Sequence, residues 1–278
     1  MPSREQTIAD AVQIFETAHY PSELTLESAW LGIYQTLLWY EPVNQLGYTS
    51  LPHIIDADKL RPSTHAKKVV QANPSIWQTR AALLSTYLLD RLGYTAEEIP
   101  LKVNLLMQHA SYDGMQPHNS RGIAFAGLIK HVLEHFGSSS LTYATEVLAS
   151  AIFPGVTVPG RSTTPRIDLL VKNKDIPVAV ISTKWSLRHD RVNDITNECP
   201  VYKAAYERIY RQERRNRLLY FVVTNEYDPS RLKKVINDSC VDGVVHVHQP
   251  AVVEVCKLGA GLTDLMDLTD LVNATSTW

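Results

Sequence analysis

The chain has 278 residues, of which 45% are hydrophobic and 20% are charged, and its formal net charge is −2. This composition argues against a disordered or low-complexity chain and allows a sizeable core, as one domain or as a core with a helical subdomain. A net charge of −2 does not by itself indicate a nucleic-acid binder, because DNA binding depends on neutralising phosphates. Basic residues do cluster locally, for example between residues 211 and 217.

The cysteine pattern and the absence of long apolar runs predict a location. Cys199, Cys240 and Cys256 show no Cys-x-x-Cys spacing, which argues against a zinc cluster or a disulfide scaffold and favours a reducing compartment. No run of 18 apolar residues predicts a transmembrane helix, and the N-terminus does not have the pattern of a signal peptide. We therefore expect a bacterial cytoplasmic protein that makes no membrane contact.

The first half of the chain shows helical periodicity. Apolar residues recur at helical spacing, which predicts helices over residues 4–19, 25–40, 63–71, 75–92, 96–110 and 123–136. The polar segment 111–122 between the last two is a candidate DNA-contacting loop, although a surface turn explains it as well. Together these elements predict a helical N-terminal subdomain over residues 1–137.

A further helix is predicted over residues 141–152, with serines 138–140 as its cap. Glu146 lies inside this predicted helix, just before the segment that carries the other candidate site residues. It is a candidate metal ligand, and a surface glutamate on an amphipathic helix is an equally good interpretation.

The next segment predicts a β-hairpin. Two short runs rich in Val, Ile and Leu, 167–171 and 176–181, are separated by the polar turn 172–175. If Asp168 lies opposite Ser182, then Lys184 is its diagonal neighbour at a Cα distance of roughly 7–8 Å. Charges at an apolar hairpin are costly unless they pair or bind a metal. The pattern therefore predicts either a structural ion pair or a reactive site.

Charged residues that suit DNA recognition follow the second strand. Arg188 and Arg191 bracket Asp190, and arginine can donate to guanine O6 and N7 while aspartate accepts from cytosine N4. A solvated charged turn is the alternative. Glu198 comes fourteen residues after Lys184. It is either a metal ligand or an acid at the start of a helix, which Pro200 would then open.

The C-terminal part alternates strands and helices. The helix after Glu198 is predicted to extend to about residue 215, followed by a buried strand at 217–224, a helix at 229–239, a strand at 244–247 and helices at 250–258 and 262–273. This order predicts an α/β fold with a mixed sheet flanked by helices. The corresponding domain is residues 138–278.

The motif order resembles a known enzyme family. Pro-x-x-Asp ending at Asp168, Ser-x-Lys ending at Lys184, Arg-x-Asp-Arg and then Glu198 are similar to the PD-(D/E)XK nucleases, and among them to type II restriction endonucleases that recognise a CCGG core. Ser182 stands where most of the superfamily has an acid, which the CCGG family supplies from the following helix. Pro165 lies three residues before Asp168, so the first motif is only approximate. The match covers about 35 residues.

The resemblance implies a restriction endonuclease-like catalytic core within residues 138–278. It implies that Asp168 and Glu198 bind Mg²⁺, with Glu146 as the acid of the first helix, and that Lys184 positions the attacking water. Arg188, Asp190 and Arg191 would read the CCGG core.

The resemblance also implies the partners. A palindromic site implies double-stranded DNA bound by a homodimer, or a higher oligomer, and a cognate methyltransferase in the same system. Both strands would be cut to leave 5′ overhangs. Compact members of the family accept A or T beside the core, which suggests WCCGGW, with ACCGGT or TCCGGA next. Two alternatives stay open: a repair or junction-resolving nuclease of the same fold, and a non-catalytic helical DNA-binding module.

Overall fold

The computed structural model describes residues 3–13, 15–16, 24–30, 32–33, 36, 118–160, 165–185, 187, 189–210, 217–226, 229–256 and 264–278. The chain separates into two compact units, Met1–Ala124 and Phe125–Trp278. The assignment of residues 1–137 and 138–278 to two domains stays a prediction. Among the described residues, no helix is long and apolar enough to cross a membrane.

The first unit is described in part. Helix α1 spans Arg4–Gln13, and a 3-10 helix spans Leu26–Ser28. The helix predicted at 4–19 is therefore present, with Ala11 buried on its inner face. The helices predicted between residues 63 and 110, and most of the polar segment 111–122, lie outside the described residues.

A six-stranded sheet forms the centre of the second unit. The strands occur in the order β1 (Leu141–Leu148), β2 (Arg166–Asn173), β3 (Ile176–Lys184), β4 (Leu219–Thr224), β5 (Gly243–His246) and β6 (Leu265–Met266). β1, β2 and β3 pair antiparallel, whereas β3 to β6 pair parallel. The predicted α/β fold with a mixed sheet is confirmed.

Helices connect the parallel strands, as parallel pairing requires. The helices of this part of the chain are α2 (His118–Phe136), α3 (Ala149–Ile152), α4 (His189–Ile209), α5 (Pro229–Ile236), α6 (Gln249–Cys256) and α7 (Leu268–Ala274), followed by a 3-10 turn at Thr275–Thr277. α4 joins β3 to β4, and α5 joins β4 to β5. The helices predicted at 123–136, 229–239 and 250–258 are confirmed.

The helix predicted over residues 141–152 is wrong, and with it the placement of Glu146 on a helix. This segment forms β1, and only Ala149–Ile152 makes a short helix. Leu141 and Tyr143 are buried while Thr142 is exposed, which is the two-residue period of a strand. The β1 strand pairs with β2 from Leu141↔Asn173 to Leu148↔Arg166. This pairing with a segment distant in sequence overrides the local helical pattern.

Two helix boundaries also differ from their predictions. α4 begins at His189 and contains Pro200, so Glu198 lies well inside the helix rather than ahead of it. The last helix begins at Leu268 rather than 262, because Leu265–Met266 pairs with β5. A capping box of Asp267 and Asp270 then starts α7.

The cysteine pattern argued against a disulfide scaffold, and the structure contains one disulfide among the described residues. Cys199 of α4 and Cys240 form a disulfide with a Cα–Cα distance of 6.1 Å. Whether two cysteines can be bridged depends on their separation in space, and their separation of 41 residues in sequence gave no indication of it. The cytoplasmic location inferred from the cysteines stays a prediction.

Candidate active site

Asp168 lies in β2 and its carboxylate is turned towards β3. In the antiparallel register Leu169 is paired with Ile181. One residue further along each strand, the same register puts Asp168 opposite Ser182. The Ser182 hydroxyl donates to Asp168 Oδ2 at 3.2 Å, and the Thr183 backbone N–H donates to the same oxygen at 2.9 Å. The predicted hairpin and its register are therefore confirmed.

Lys184, at the end of β3, reaches the same carboxylate. Its ammonium donates to Asp168 Oδ2 and forms an ion pair with it. The lysine side chain is 10% exposed and the aspartate side chain 21%, so one edge of the pair faces solvent. The diagonal contact predicted from the sequence is present. The three donors described here all reach Oδ2 of Asp168.

Glu198 brings a second carboxylate to this place from α4. Its side chain is buried, and its charge acts on Tyr220, a fully buried residue of β4. Tyr220 pairs with Val180 of β3, so its side chain shares a sheet face with Val180 and with Ser182 two residues further on. Glu198 is therefore close enough to this part of the sheet for its charge to act on Tyr220.

The electrostatics of Tyr220 connect the two acids. Burial raises the pKa of Tyr220 well above its ordinary value, and the negative charge of Glu198 and then of Asp168 raises it further. The Ser182 hydroxyl lies near enough to lower this pKa, although no hydrogen bond of good geometry to Tyr220 Oη forms among the described residues. The charges of both carboxylates thus act on the same buried hydroxyl.

The donor set fits Mg²⁺. This ion is commonly held by one or two carboxylates and completes its octahedron with water and substrate phosphate oxygens. Asp168 and Glu198 supply two carboxylates, and a divalent cation between them would offset their mutual repulsion. Within the described part of the chain, no group of three or more His, Cys, Asp or Glu side chains is arranged to hold a metal ion. The residues therefore fit a cation that takes only two ligands from these side chains and the rest from other groups.

Glu146 stands in β1 beside this cluster. It falls between the pairs Thr145↔Leu169 and Val147↔Ile167 and is itself skipped in the register. Its φ of 56° is in the left-handed region, while the register is the same on either side of it, with Asp168 as the residue opposite. The Glu146 carbonyl accepts a hydrogen bond from Arg166 at 2.5 Å. Its backbone is thus level with Asp168 on the neighbouring strand, and a metal-binding role for it stays a prediction.

The candidate base-reading residues lie at the start of α4. Asp190 and Arg191 are in its first turn, where an acid is favoured by the helix dipole. The Asp190 side chain is 60% exposed. Arg191 is held by Asp194 at 3.4 Å and lies 3.8 Å from Asp190. Arg188 lies outside the described residues, and the reading role of all three stays a prediction.

One buried carboxylate was missed in the sequence. Glu226 follows β4, is 3% exposed, and accepts a hydrogen bond from the Leu187 backbone N–H at 2.8 Å. Arg231 of α5 donates to the same oxygen at 3.2 Å. The available signal was an acid directly after a buried strand, which is too common to be singled out without the contact.

Comparisons with known proteins give weak likenesses. No protein-family model and no curated protein matches the chain. Among solved structures, the Bse634I restriction endonuclease is similar at 13% identity and a TM-score of 0.36, over 58% of this chain and 82% of the other. Metal-depleted Ecl18kI in complex with uncleaved DNA is similar at 12% identity and a TM-score of 0.34, over 99% of this chain and 84% of the other. A second structure of metal-depleted Ecl18kI, with uncleaved, modified DNA, is similar at 11% identity and a TM-score of 0.35, over 100% of this chain and 85% of the other. At these values the likenesses carry no functional conclusion for this chain.

Proposed function

We propose that this chain is a type II restriction endonuclease. It hydrolyses both strands of double-stranded DNA at a palindromic site with a CCGG core, requires Mg²⁺ and leaves 5′ overhangs. The observation that supports this most directly is the contact between Lys184 and Asp168 at the end of the hairpin, with Glu198 buried nearby. A structural ion pair alone gives no reason for a second buried carboxylate whose charge acts on the same tyrosine.

Phosphodiester hydrolysis needs an activated water and a counter-charge for the phosphate. When bound, Mg²⁺ lowers the pKa of a water and neutralises charge on the phosphate oxygens. Asp168 and Glu198 are the residues that hold it, and Glu146 is a third candidate. Ser182 and the Thr183 backbone N–H fix the Asp168 carboxylate so that its orientation is set before DNA binds.

Lys184 positions the attacking water. An ammonium carries three N–H donors, and Asp168 takes one of them in the structure. The remaining donors can bind the water and a phosphate oxygen at the exposed edge of the pair. Because the lysine is held by the carboxylate that would bind the metal, it would orient a water beside that carboxylate.

We propose that the segment after Lys184 recognises the DNA sequence. Asp190 and Arg191 open α4 only a few residues after Lys184, so reading and cutting groups share one continuous stretch. Together with Arg188 they match the edges of G·C pairs in the major groove. A palindromic core requires two copies of this stretch, and we propose a homodimer, or a higher oligomer, that cuts WCCGGW. The host DNA is then protected by a cognate methyltransferase.

A digest of phage DNA with the purified protein tests this function. With Mg²⁺ we expect discrete fragments, and sequencing their ends should show CCGG cores and the bases beside them. Cuts at other sequences or at branched DNA would retain the nuclease and discard the recognition assignment. DNA binding without any cutting in Mg²⁺ or Mn²⁺ would favour the non-catalytic binding module.

A further inference from the structure

A short segment connects the catalytic lysine to the candidate base-reading residues. β3 ends at Lys184 and α4 begins at His189. Between them, Trp185 and Leu187 are buried, and the Trp185 ring packs edge-on against Phe125 with a centroid distance of 5.3 Å. The path of this segment sets how the start of α4 is placed relative to Lys184.

Two consecutive residues after β4 hold the backbone of this segment. The Asn225 N–H donates to the Trp185 carbonyl at 3.2 Å, which extends the β3–β4 pairing beyond Lys184↔Thr224. The Glu226 carboxylate then accepts the Leu187 N–H at 2.8 Å. Leu187 immediately precedes Arg188 in the sequence. The backbone is thus fixed on both sides of position 186.

The second partner of Glu226 gives the arrangement its rigidity. Arg231 of α5 donates to the same Glu226 oxygen at 3.2 Å, and the Glu226 side chain is 4% exposed. A charged acceptor makes a shorter and stronger hydrogen bond to a backbone N–H than a neutral one. Since apolar residues of similar volume often replace a buried ion pair without loss of stability, stability alone gives no reason for a carboxylate here. The hydrogen bond that holds the Leu187 backbone in place does give a reason for a carboxylate at this position.

We propose that Glu226 is a positioning residue for DNA recognition, which fixes Leu187 and thereby the start of α4, with Asp190 and Arg191, relative to the catalytic Lys184. This inference rests on the proposed function. Glu226 itself touches neither DNA nor metal. It acts through the backbone that carries the reading groups, so its loss should affect sequence discrimination more than the chemical step.

The test compares kcat/KM on a duplex with a CCGG core and on duplexes with one core base pair changed. For Glu226→Ala we expect the ratio of cognate to altered-site kcat/KM to fall on the order of tenfold, about 1.4 kcal/mol. The cleavage rate at saturating cognate DNA should stay within a few-fold of the unsubstituted protein. Glu226→Gln keeps an oxygen that can accept the Leu187 N–H, and it should restore most of the discrimination.

Asp242→Ala is the matched control. Asp242 is another mostly buried carboxylate that accepts a backbone N–H, from Tyr220 at 2.7 Å, and that pairs with basic side chains, Lys203 and Arg217. It has no hydrogen bond to the β3–α4 segment among the described contacts. We expect this variant to lose stability in thermal denaturation while keeping its discrimination.

The outcomes separate the inference from the function on which it rests. If the unsubstituted protein does not cut at a specific site, the proposed function fails. If it does, and Glu226→Ala discriminates as well as Asp242→Ala, the inference is refuted and the function stands. Should Glu226→Ala not fold, Glu226→Leu combined with Arg231→Met fills the same volume without an unpaired charge, and the same comparison on it decides.

Discussion

Replacing Lys184 with alanine separates the catalytic role of this residue from a purely structural one. The change removes the ammonium that donates to Asp168. Ser182 and the Thr183 N–H still donate to the same carboxylate oxygen, at 3.2 and 2.9 Å. The hairpin should therefore keep its register, and the metal-binding carboxylate should keep its orientation. We expect DNA cleavage to be abolished and DNA binding to be retained.

Lys184→Ala should lower the cleavage rate strongly and the free energy of unfolding only modestly. A positioned group that assists proton transfer contributes about 10²–10⁴-fold to a rate, so cleavage should fall by at least that factor. Loss of a hydrogen bond to a charged group costs about 1.5–3 kcal/mol. Because the two side chains of this pair are 10% and 21% exposed, solvent screening favours the lower end of that range.

The assay is single-turnover cleavage of a plasmid, with DNA binding measured separately by gel shift without Mg²⁺. Lys203→Ala is the matched control, since Lys203 forms a similar ion pair with Asp242, at 2.7 Å and with side chains 21% and 10% exposed. It lies on α4, and it has no role in the proposed chemistry. If Lys184→Ala cleaves like Lys203→Ala, the proposed mechanism is wrong.

Three further predictions follow from the same site and its surroundings. Glu198→Gln should raise the Mg²⁺ concentration for half-maximal cleavage while leaving metal-free DNA binding intact, and an unchanged Mg²⁺ titration would remove Glu198 from the metal site. Asp190→Ala should weaken discrimination at cytosine by about 1–3 kcal/mol, measured by binding to altered cores, where no change would exclude it from base reading. Burial lowers the pKa of His248 to about 4. Between about pH 6.5 and 4 the unfolded chain therefore binds more protons than the folded one, and the free energy of unfolding should decrease as the pH is lowered through this range. Denaturant titrations at several pH values check this, and a His248→Leu variant with the same pH slope would contradict it.

The sequence indicated the central hairpin and its acid–lysine contact because both are local. Two short apolar runs, a polar turn and the spacing of Asp168, Ser182 and Lys184 together indicate a register, and the structure has that register. The parallel strands β4 and β5 could also be predicted, since their buried apolar runs are short and are separated by helical patterns. These features need no knowledge of the rest of the chain.

Elements defined by distant partners could not be predicted in this way. Residues 141–148 have an apolar pattern that also suits a helix, and only pairing with β2 makes them a strand. Two further features have the same origin: the bond between Cys199 and Cys240 and the β6 strand before α7. In each case the deciding contact joins segments that the sequence does not place together.

The sequence by itself determined which residues can carry the chemistry: two carboxylates, a lysine and a charged segment, in a fixed order along the chain. The tertiary structure decided their arrangement, because Asp168 and Lys184 meet across the β2–β3 hairpin and the charge of Glu198 on α4 acts on Tyr220 of β4. It also decided that Glu226 holds Leu187, through a hydrogen bond across 39 residues of sequence. Residue type limits what a side chain can do, whereas the packing of distant elements fixes which groups it meets.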